Sequence, residues 1–219
     1  MCGRFALHAN PQVIALQFAL ASLPEVKPRY NIAPTTDVLI VRAADAAVQA
    51  ARVRWGLVPR WAKDPAMGAK LNNARAESVA DKPSFREAFR RRRCLIPASG
   101  FYEWKAEAGR RQPYYVHPAQ GELFAFAGLW EAWRGPDCVL ETCSVVTTEA
   151  NAAMQPVHDR MPVIVARRDY ARWLDCAPGG DVRDLLRPCD PADIAVRRVS
   201  RAVNNARNEG GSLIEAEEV

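Results

Sequence analysis

The shortness of its apolar segments restricts what this chain can fold into. The longest informative run, Leu123 to Trp130, has eight residues, which suits a buried strand and falls short of the roughly 18–20 residues of a membrane span. Further short segments rich in β-branched and aromatic residues predict strands at Asp37 to Arg42, Val48 to Trp55, Cys94 to Ala98, Gln112 to His117, Val139 to Thr147, Val163 to Ala166 and Ile194 to Val199.

Helical patterns are few and short. They lie at residues 11–21, after a capping-box pattern that begins at Ser84, and near 168–175 and 181–187. The stretch from Leu23 to Thr36 has three prolines and is predicted to be a loop. Many strands with few helices predict an α+β fold: a single domain with a mostly antiparallel, barrel-like β core flanked by short helices.

The chain has 219 residues, of which 49% are hydrophobic and 25% charged, so it can bury a core without a disulfide or a metal. We find no repeat or linker, and expect one domain over residues 1–211 and a flexible tail over 212–219. Because the N-terminus lacks a basic-then-apolar signal pattern, we expect a cytoplasmic protein, away from any membrane.

The six cysteines, at positions 2, 94, 138, 143, 176 and 189, show neither Cys-x-x-Cys pairs nor zinc-finger spacing. We therefore expect no metal and no cofactor. The net charge of +5 comes mostly from arginine, which favours a polyanionic partner that carries phosphates.

Cys2 is the most unusual candidate for chemistry. If Met1 is removed, Cys2 carries both an α-amine and a thiol, groups that titrate at roughly 7.7–8.0 and 8.5 in reference compounds. Such an amine condenses with an aldehyde to a Schiff base, and the thiol can then close a five-membered thiazolidine ring. The alternative is a small residue buried in a first strand.

Two further residues have the chemistry of proton transfer. Glu103 lies between Tyr102 and Trp104 in a segment that should be largely buried, where desolvation raises a carboxyl pKa; it is a candidate general acid or base, unless it only pairs with an arginine. His158 precedes Asp159 just ahead of an apolar strand, and histidine can move protons at neutral pH. The alternative for His158 is a loop-holding role.

Trp61 lies beside Arg60 and Lys63 in a turn-rich segment, which is a poor place for a core side chain. An aromatic next to cations can stack on an exposed nucleobase, although a buried tryptophan is the simpler interpretation. The run from Arg90 to Arg93 either ends a solvated helix or contacts phosphate.

In order along the chain, these signals resemble the SOS-response-associated peptidase (SRAP) family, the proteins that shield abasic sites. The resemblance runs from Met1 to about Gly211 and rests on Met1-Cys2-Gly3-Arg4-Phe5, Tyr30-Asn31-Ile32-Ala33-Pro34, Trp55-Gly56-Leu57, Asn73-Ala74-Arg75-Ala76-Glu77, Gly100-Phe101-Tyr102-Glu103-Trp104, His158-Asp159-Arg160-Met161-Pro162 and Ser200-Arg201-Ala202-Val203. One departure is Ala62, where some relatives carry a second tryptophan.

The resemblance implies covalent capture of abasic sites in single-stranded DNA through Cys2, as a thiazolidine formed after Met1 is removed. It implies catalytic roles for Asn73, which should orient the sugar, and for Glu103 and His158, which should transfer protons. Associated lyase chemistry and N-terminal autoprocessing are implied as well.

For DNA binding, the resemblance implies phosphate contacts from Arg4 and Arg75, helped by Arg160, and base stacking by Trp61. An abasic site has no base to read, so recognition should depend on backbone and strandedness. We expect a monomer whose partner is single-stranded DNA that contains abasic sites, associated with the nucleoid.

Three alternatives remain open from the sequence. An N-terminal-nucleophile cysteine amidohydrolase, such as a glutamine amidotransferase domain, also begins Met-Cys-Gly. A non-catalytic nucleic-acid-binding module would fit the charge and the exposed aromatics. A thiol protease acting on other proteins would fit the cysteine and histidine.

Overall fold

The structure, a computed structural model, describes residues 2–44 and 47–217. The strands are β1 (Phe5–Leu7), β2 (Arg29–Ile32), β3 (Asp37–Ala44), β4 (Ala47–Trp55), β5 (Asn73–Arg75), β6 (Arg93–Ala98), β7 (Gly100–Glu107), β8 (Arg110–Pro118), β9 (Phe124–Arg134), β10 (Val139–Glu149), β11 (Arg160–Pro162) and β12 (Ile194–Arg198). The α-helices are α1 (Pro11–Gln17), α2 (Arg86–Arg91) and α3 (Tyr170–Leu174), and short 3-10 turns connect other segments.

Five strands close into a barrel. Around the ring the order is β10, β4, β3, β6 and β9, and β9 pairs with β10 to complete the circle. The β4–β10 pair is parallel, whereas the other four pairs are antiparallel. Closing the sheet removes exposed edges, and its long strands supply many of the fully buried side chains.

A second, antiparallel sheet packs against the barrel, with strand order β12-β8-β7-β1-β2. Aromatic rings join the two layers. Phe5 on β1 contacts Trp55 on β4 at 5.1 Å and Phe126 on β9 at 6.1 Å, and Phe101 on β7 lies 5.9 Å from Phe126, measured between ring centroids. Edge-to-face packing of this kind fixes where β1 lies, and therefore fixes the N-terminal residues just ahead of it.

Strand β10 also carries two short strands outside the ring. β5 runs parallel to it, with Asn73 opposite Val145, and β11 runs antiparallel, with Arg160 opposite Glu149. Residues far apart in sequence, on β5 and just before β11, are thereby brought to the same end of β10.

The predicted fold class is confirmed, but several local predictions are wrong. The first helix ends at Gln17, because Ala19 takes a left-handed backbone conformation with φ of 52°. The supposed loop 23–36 contains strand β2, and the strand expected at 163–166 is instead β11, with only an isolated bridge from Ile164 to Phe126. Helix α2 has no side-chain cap from the Ser84 pattern.

The C-terminal segment packs onto the second sheet as far as the structure describes it. Leu213 is buried, Ala216 forms a bridge with Val199, and the Glu217 carboxylate accepts a hydrogen bond from Arg198 at 2.9 Å. The domain boundary at residue 211 and the flexibility of 212–219 stay predictions, and residues 218 and 219 lie outside the described range. In the described residues, no helix is long and apolar enough to cross a membrane.

Candidate active site

Cys2 is fully buried just ahead of β1. The Tyr102 N–H donates a hydrogen bond to the carbonyl of Arg4 at 3.0 Å, so the N-terminal segment continues the pairing of β1 along β7 toward Glu103. Burial raises the pKa of the Cys2 thiol well above its usual value, and the nearby Glu103 carboxylate raises it further. Met1 lies outside the described residues.

Asn73, the first residue of β5, holds the backbone of Cys2. Its Nδ2 donates to the Cys2 carbonyl oxygen at 2.8 Å. This bond fixes the orientation of the side-chain amide, so the Oδ1 atom is the free acceptor. Within the described part of the chain, that buried oxygen has no hydrogen-bond partner. A buried acceptor without a partner is costly, and here it is available to a ligand beside Cys2.

Glu103 and His158 face each other, and each carries a group that can bind and release a proton. Glu103 on β7 is 2% exposed, and burial raises the pKa of its carboxyl group. Its Oε2 lies 3.8 Å from Nε2 of His158, which lies two residues before the start of β11. The pair therefore links the second sheet to the strands on β10.

The other imidazole nitrogen of His158 has two partners. The Arg160 N–H donates to Nδ1 at 2.9 Å, and the exposed Asp159 carboxylate also lies 2.9 Å from Nδ1. When the ring is neutral with Nδ1 as acceptor, Nε2 carries the proton and faces Glu103. When the ring is protonated, Nδ1–H can donate to Asp159. A proton on Nδ1 would therefore exchange the bond from the Arg160 N–H for one to Asp159.

Arg4 lines an open cleft of about 430 Å³ together with Gly3, Glu103, Trp104, Arg111 and Asn204. One guanidinium nitrogen of Arg4 donates to Asn31 Oδ1 at 2.6 Å and to the Val203 carbonyl at 3.0 Å, and the guanidinium lies 5.9 Å from the centre of the Trp104 ring. Burial lowers the pKa of Arg4. The Arg4 side chain, which is expected to bind phosphate, is thus anchored at the cleft beside Glu103.

Trp61 is 58% exposed, with its indole N–H 3.3 Å from the Pro83 carbonyl. The neighbouring Ala62 is buried, and its carbonyl accepts a hydrogen bond from the indole of Trp133 at 2.7 Å. The Trp133 indole therefore anchors the loop at the buried Ala62, and the Trp61 indole next to it is exposed to solvent.

Arg75 and Arg160 lie on the two short strands beside β10 and differ in their surroundings. Arg75 is exposed. The Arg160 side chain is only 14% exposed, and it forms a two-pronged ion pair with the Glu77 carboxylate while Nη2 donates to the Thr147 carbonyl at 2.7 Å. The structure thus places an internal carboxylate on the guanidinium for which the sequence predicts a phosphate.

Sequence reasoning missed the residues that support this arrangement. Asn31 is 2% exposed; it accepts from Arg4, and its Nδ2 lies within hydrogen-bond distance of the carbonyls of Val203, Asn205 and Asn208 at 3.3, 3.0 and 2.9 Å. It lies in one of the quoted sequence blocks, but a polar residue there carries no sign of its partners. The Trp104 indole N–H donates to Asn204 Oδ1 at 2.6 Å, a contact that no feature of the sequence indicates.

The site as a whole brings Cys2, Asn73, Glu103 and His158 together from four separate segments. It offers a sulfur atom, an amide that fixes the Cys2 backbone, and two groups able to give and take protons. In residues 2–44 and 47–217 no group of three or more His, Cys, Asp or Glu side chains is placed to hold a metal ion. The arrangement suits proton-assisted chemistry at Cys2.

Comparison with known proteins gives concordant results. Residues 1–206 match the family model described as SOS response associated peptidase (SRAP). The chain is 40% identical over 223 residues to the abasic site processing protein YoqW of Bacillus subtilis, covering 99% of this chain and 100% of that protein. It is 31% identical to the abasic site processing protein HMCES of Xenopus tropicalis, covering 83% of this chain and 64% of that one.

A crystal structure of a protein from Bacteroides thetaiotaomicron has a TM-score of 0.89 to this chain, with 22% identity, and the match covers 99% of this chain and 100% of that one. At this identity, the likeness supports the fold alone. It agrees with the barrel and second sheet described above.

Proposed function

This chain belongs to the SOS response associated peptidase family, and we propose that it captures abasic sites in single-stranded DNA as a covalent thiazolidine on Cys2. The names of its relatives describe abasic site processing. The observation that carries the proposal is the contact of Asn73 with the Cys2 carbonyl beside the Glu103–His158 pair. A buried structural cysteine would need neither.

The chemistry begins with removal of Met1, because the α-nitrogen of Cys2 is an amide while Met1 is attached. Hydrolysis of that peptide bond consumes one water and releases methionine and a free amine. We include autoprocessing of this bond in the proposal, since the Cys2 thiol is adjacent to it. Among the described residues Cys2 is fully buried, so the thiol must also become accessible before it can react.

The free amine then attacks the C1′ aldehyde of the ring-opened deoxyribose. A C–N bond forms, the carbonyl oxygen leaves as water, and a Schiff base remains. The Cys2 sulfur adds to the same carbon, and the thiol proton passes to nitrogen to complete the thiazolidine. No oxidant or cofactor is needed. Elimination from the Schiff base would give an associated AP-lyase activity, which competes with ring closure.

The neighbouring residues fit the steps of this sequence. Because burial raises its pKa, Glu103 keeps its proton to higher pH than an exposed carboxyl group and can donate it during sugar ring opening and loss of water. His158 can accept and return protons, since each ring nitrogen has a partner. The free Oδ1 of Asn73 can accept a hydrogen bond from the sugar or the new ring nitrogen.

DNA would be held by contacts that ignore base identity. Arg4 at the cleft and the exposed Arg75 can bind phosphates on either side of the lesion, with Arg160 as a further contact. Trp61 can stack on a neighbouring base. Recognition by stacking and phosphates favours a single strand, whose bases are free to stack.

The test is a denaturing gel with labelled single-stranded DNA that carries one abasic site. We expect a slow band that survives denaturant, requires the lesion, and is absent in Cys2→Ala. Cys143→Ala is the matched control, because Cys143 is equally buried but internal; this variant should still form the band. Mass spectrometry of the same sample should show loss of Met1.

No band with Met1 confirmed absent would refute the proposal. Cys2-dependent release of ammonia from glutamine would then favour the amidohydrolase alternative. A band that persists in Cys2→Ala would show that the stable link does not need the Cys2 sulfur, and would overturn the thiazolidine assignment.

A further inference from the structure

The Glu77 carboxylate forms an ion pair with the Arg160 guanidinium on its solvent-facing side. The two nitrogens Nη1 and Nη2 each donate to a different carboxylate oxygen of Glu77, and the Nη2–Oε2 distance is 3.1 Å. This forked geometry is also the one with which arginine binds two oxygens of a phosphate. The carboxylate therefore stands where a phosphate would bind.

The exposures of the two side chains are unequal. Arg160 is 14% exposed and is held from the protein side by the Thr147 carbonyl, whereas Glu77 is 56% exposed. The guanidinium is thus anchored on the protein side, and the carboxylate is the more exposed partner, which solvent or a ligand can reach. The hydrogen bond to Arg160 and the charges of Arg160 and Arg75 lower the pKa of Glu77, so the carboxylate is ionised at neutral pH.

The position of this ion pair links it to the Cys2 site. The Arg160 backbone N–H donates to His158, and Arg75 lies two residues after Asn73 on β5. Glu77 follows Arg75 by two residues and also interacts with its charge. One carboxylate therefore acts on both arginines proposed to hold phosphates along this side of the site.

We propose that Glu77 is a specificity-determining residue that competes with DNA phosphate for the Arg160 guanidinium. This inference rests on the proposed function. Without Glu77, Arg160 would bind any polyanion that reached it. With Glu77 in place, a phosphate must displace the carboxylate, so the net binding free energy is only the difference between the two ion pairs. Undamaged strands then bind weakly, and retention depends on the bond formed at Cys2.

The test uses Glu77→Gln, which keeps the size of the side chain and removes its charge. We expect binding of labelled, undamaged single-stranded DNA to tighten by about 3–10-fold at fixed low salt, with the gain shrinking as salt rises. Glu149→Gln is the matched control. Glu149 is exposed in the same surface cleft and lies opposite Arg160 in the strand pairing, and it makes no ion pair within the described residues. Its removal should change affinity by less than about 2-fold.

A double-mutant cycle identifies the cation concerned. In an Arg160→Gln background, Glu77→Gln should raise DNA affinity no more than Glu149→Gln does, because the guanidinium for which carboxylate and phosphate compete is gone. Arg160→Lys keeps the charge but lacks the two-pronged guanidinium geometry, so it should also reduce the affinity increase caused by Glu77→Gln. This variant replaces Arg160→Gln if that one does not fold. Thermal unfolding of every variant shows which are folded.

The inference is overturned if Glu77→Gln weakens binding, which would mean that Glu77 only orients Arg160, or if its gain equals that of Glu149→Gln. A gain that persists without Arg160 also overturns it. Covalent capture by the wild-type protein is measured alongside. Capture without the Glu77 effect defeats this inference alone, whereas absence of capture defeats the proposed function and leaves the affinity comparison to judge Glu77. No detectable binding of undamaged DNA by any variant also defeats this inference alone, because capture is judged separately.

Discussion

Replacing Asn31 by alanine tests whether this buried amide joins the N-terminal segment to residues 203–208. The side chain accepts a hydrogen bond from Arg4 at 2.6 Å, and its two N–H hydrogens serve three carbonyls at 2.9–3.3 Å. Hydrogen bonds to a charged group contribute about 1.5–3 kcal/mol and neutral ones about 1 kcal/mol. Since Arg4 keeps its bond to Val203, we expect a loss of about 3 kcal/mol in the free energy of unfolding.

For a chain of this size, that loss corresponds to a fall in Tm of about 6–12 °C. The assay is urea unfolding, in which the midpoint should fall while the m-value stays unchanged.

Asn31→Asp sharpens the test. It keeps an acceptor for Arg4 but replaces the donor with an oxygen that faces carbonyls, so it should be at least as unstable as Asn31→Ala. Asn204→Ala is the control, because Asn204 is exposed and bonds only the Trp104 indole among the side-chain contacts described; it should cost under about 1 kcal/mol. An Asn31→Asp variant as stable as the wild type would refute the reasoning.

Three further outcomes are expected. Gly68→Ala should destabilise the fold by about 1–3 kcal/mol in urea unfolding, because a Cβ there would lie 2.5 Å from the Gly56 carbonyl oxygen and 2.9 Å from Val58 Cγ2; unchanged stability would mean that this backbone crossing can relax. Trp61→Ala should leave the free energy of unfolding within about 0.5 kcal/mol, since the side chain is mostly exposed, while weakening DNA retention; a large stability loss would show a core role instead. Glu103→Gln should slow covalent capture and change its pH profile. Because the folded pKa of Glu103 is raised, the native state binds more protons than the unfolded one, so Glu103 makes stability fall as pH rises from about 4.3 through the folded pKa; the glutamine variant should lack that part of the fall.

The sequence predicted the main strands well where apolar residues alternate or run together, as in β9 and β10. It failed where local signals pointed elsewhere. Strand β2 is short and preceded by prolines, a pattern that predicts a loop, and α1 ends earlier than its apolar pattern because of the backbone at Ala19. The periodicity of apolar residues indicates which side chains are buried. Whether a short segment becomes a strand depends on the strands that it can pair with.

The reactive groups of the site could be named from chemistry and the family resemblance. Cys2 was singled out by its position in the chain, and Glu103 and His158 by their neighbours. Their mutual geometry could not be named, because it depends on β1 pairing with β7 and on β11 pairing with β10. Those pairings are long-range, and no local pattern encodes a separation such as the 3.8 Å between Glu103 and His158.

By itself, then, the sequence determined the fold class, the mildly basic charge and the possibility of amine-and-thiol chemistry at Cys2, since these follow from composition, period and covalent structure. The tertiary structure alone decided that Asn73 holds Cys2, that Asn31 fixes Arg4, and that Glu77 rather than solvent faces Arg160. The physical reason is that hydrogen bonds and ion pairs act over a few ångströms. Only closure of the barrel and docking of the second sheet bring such distant residues within that range.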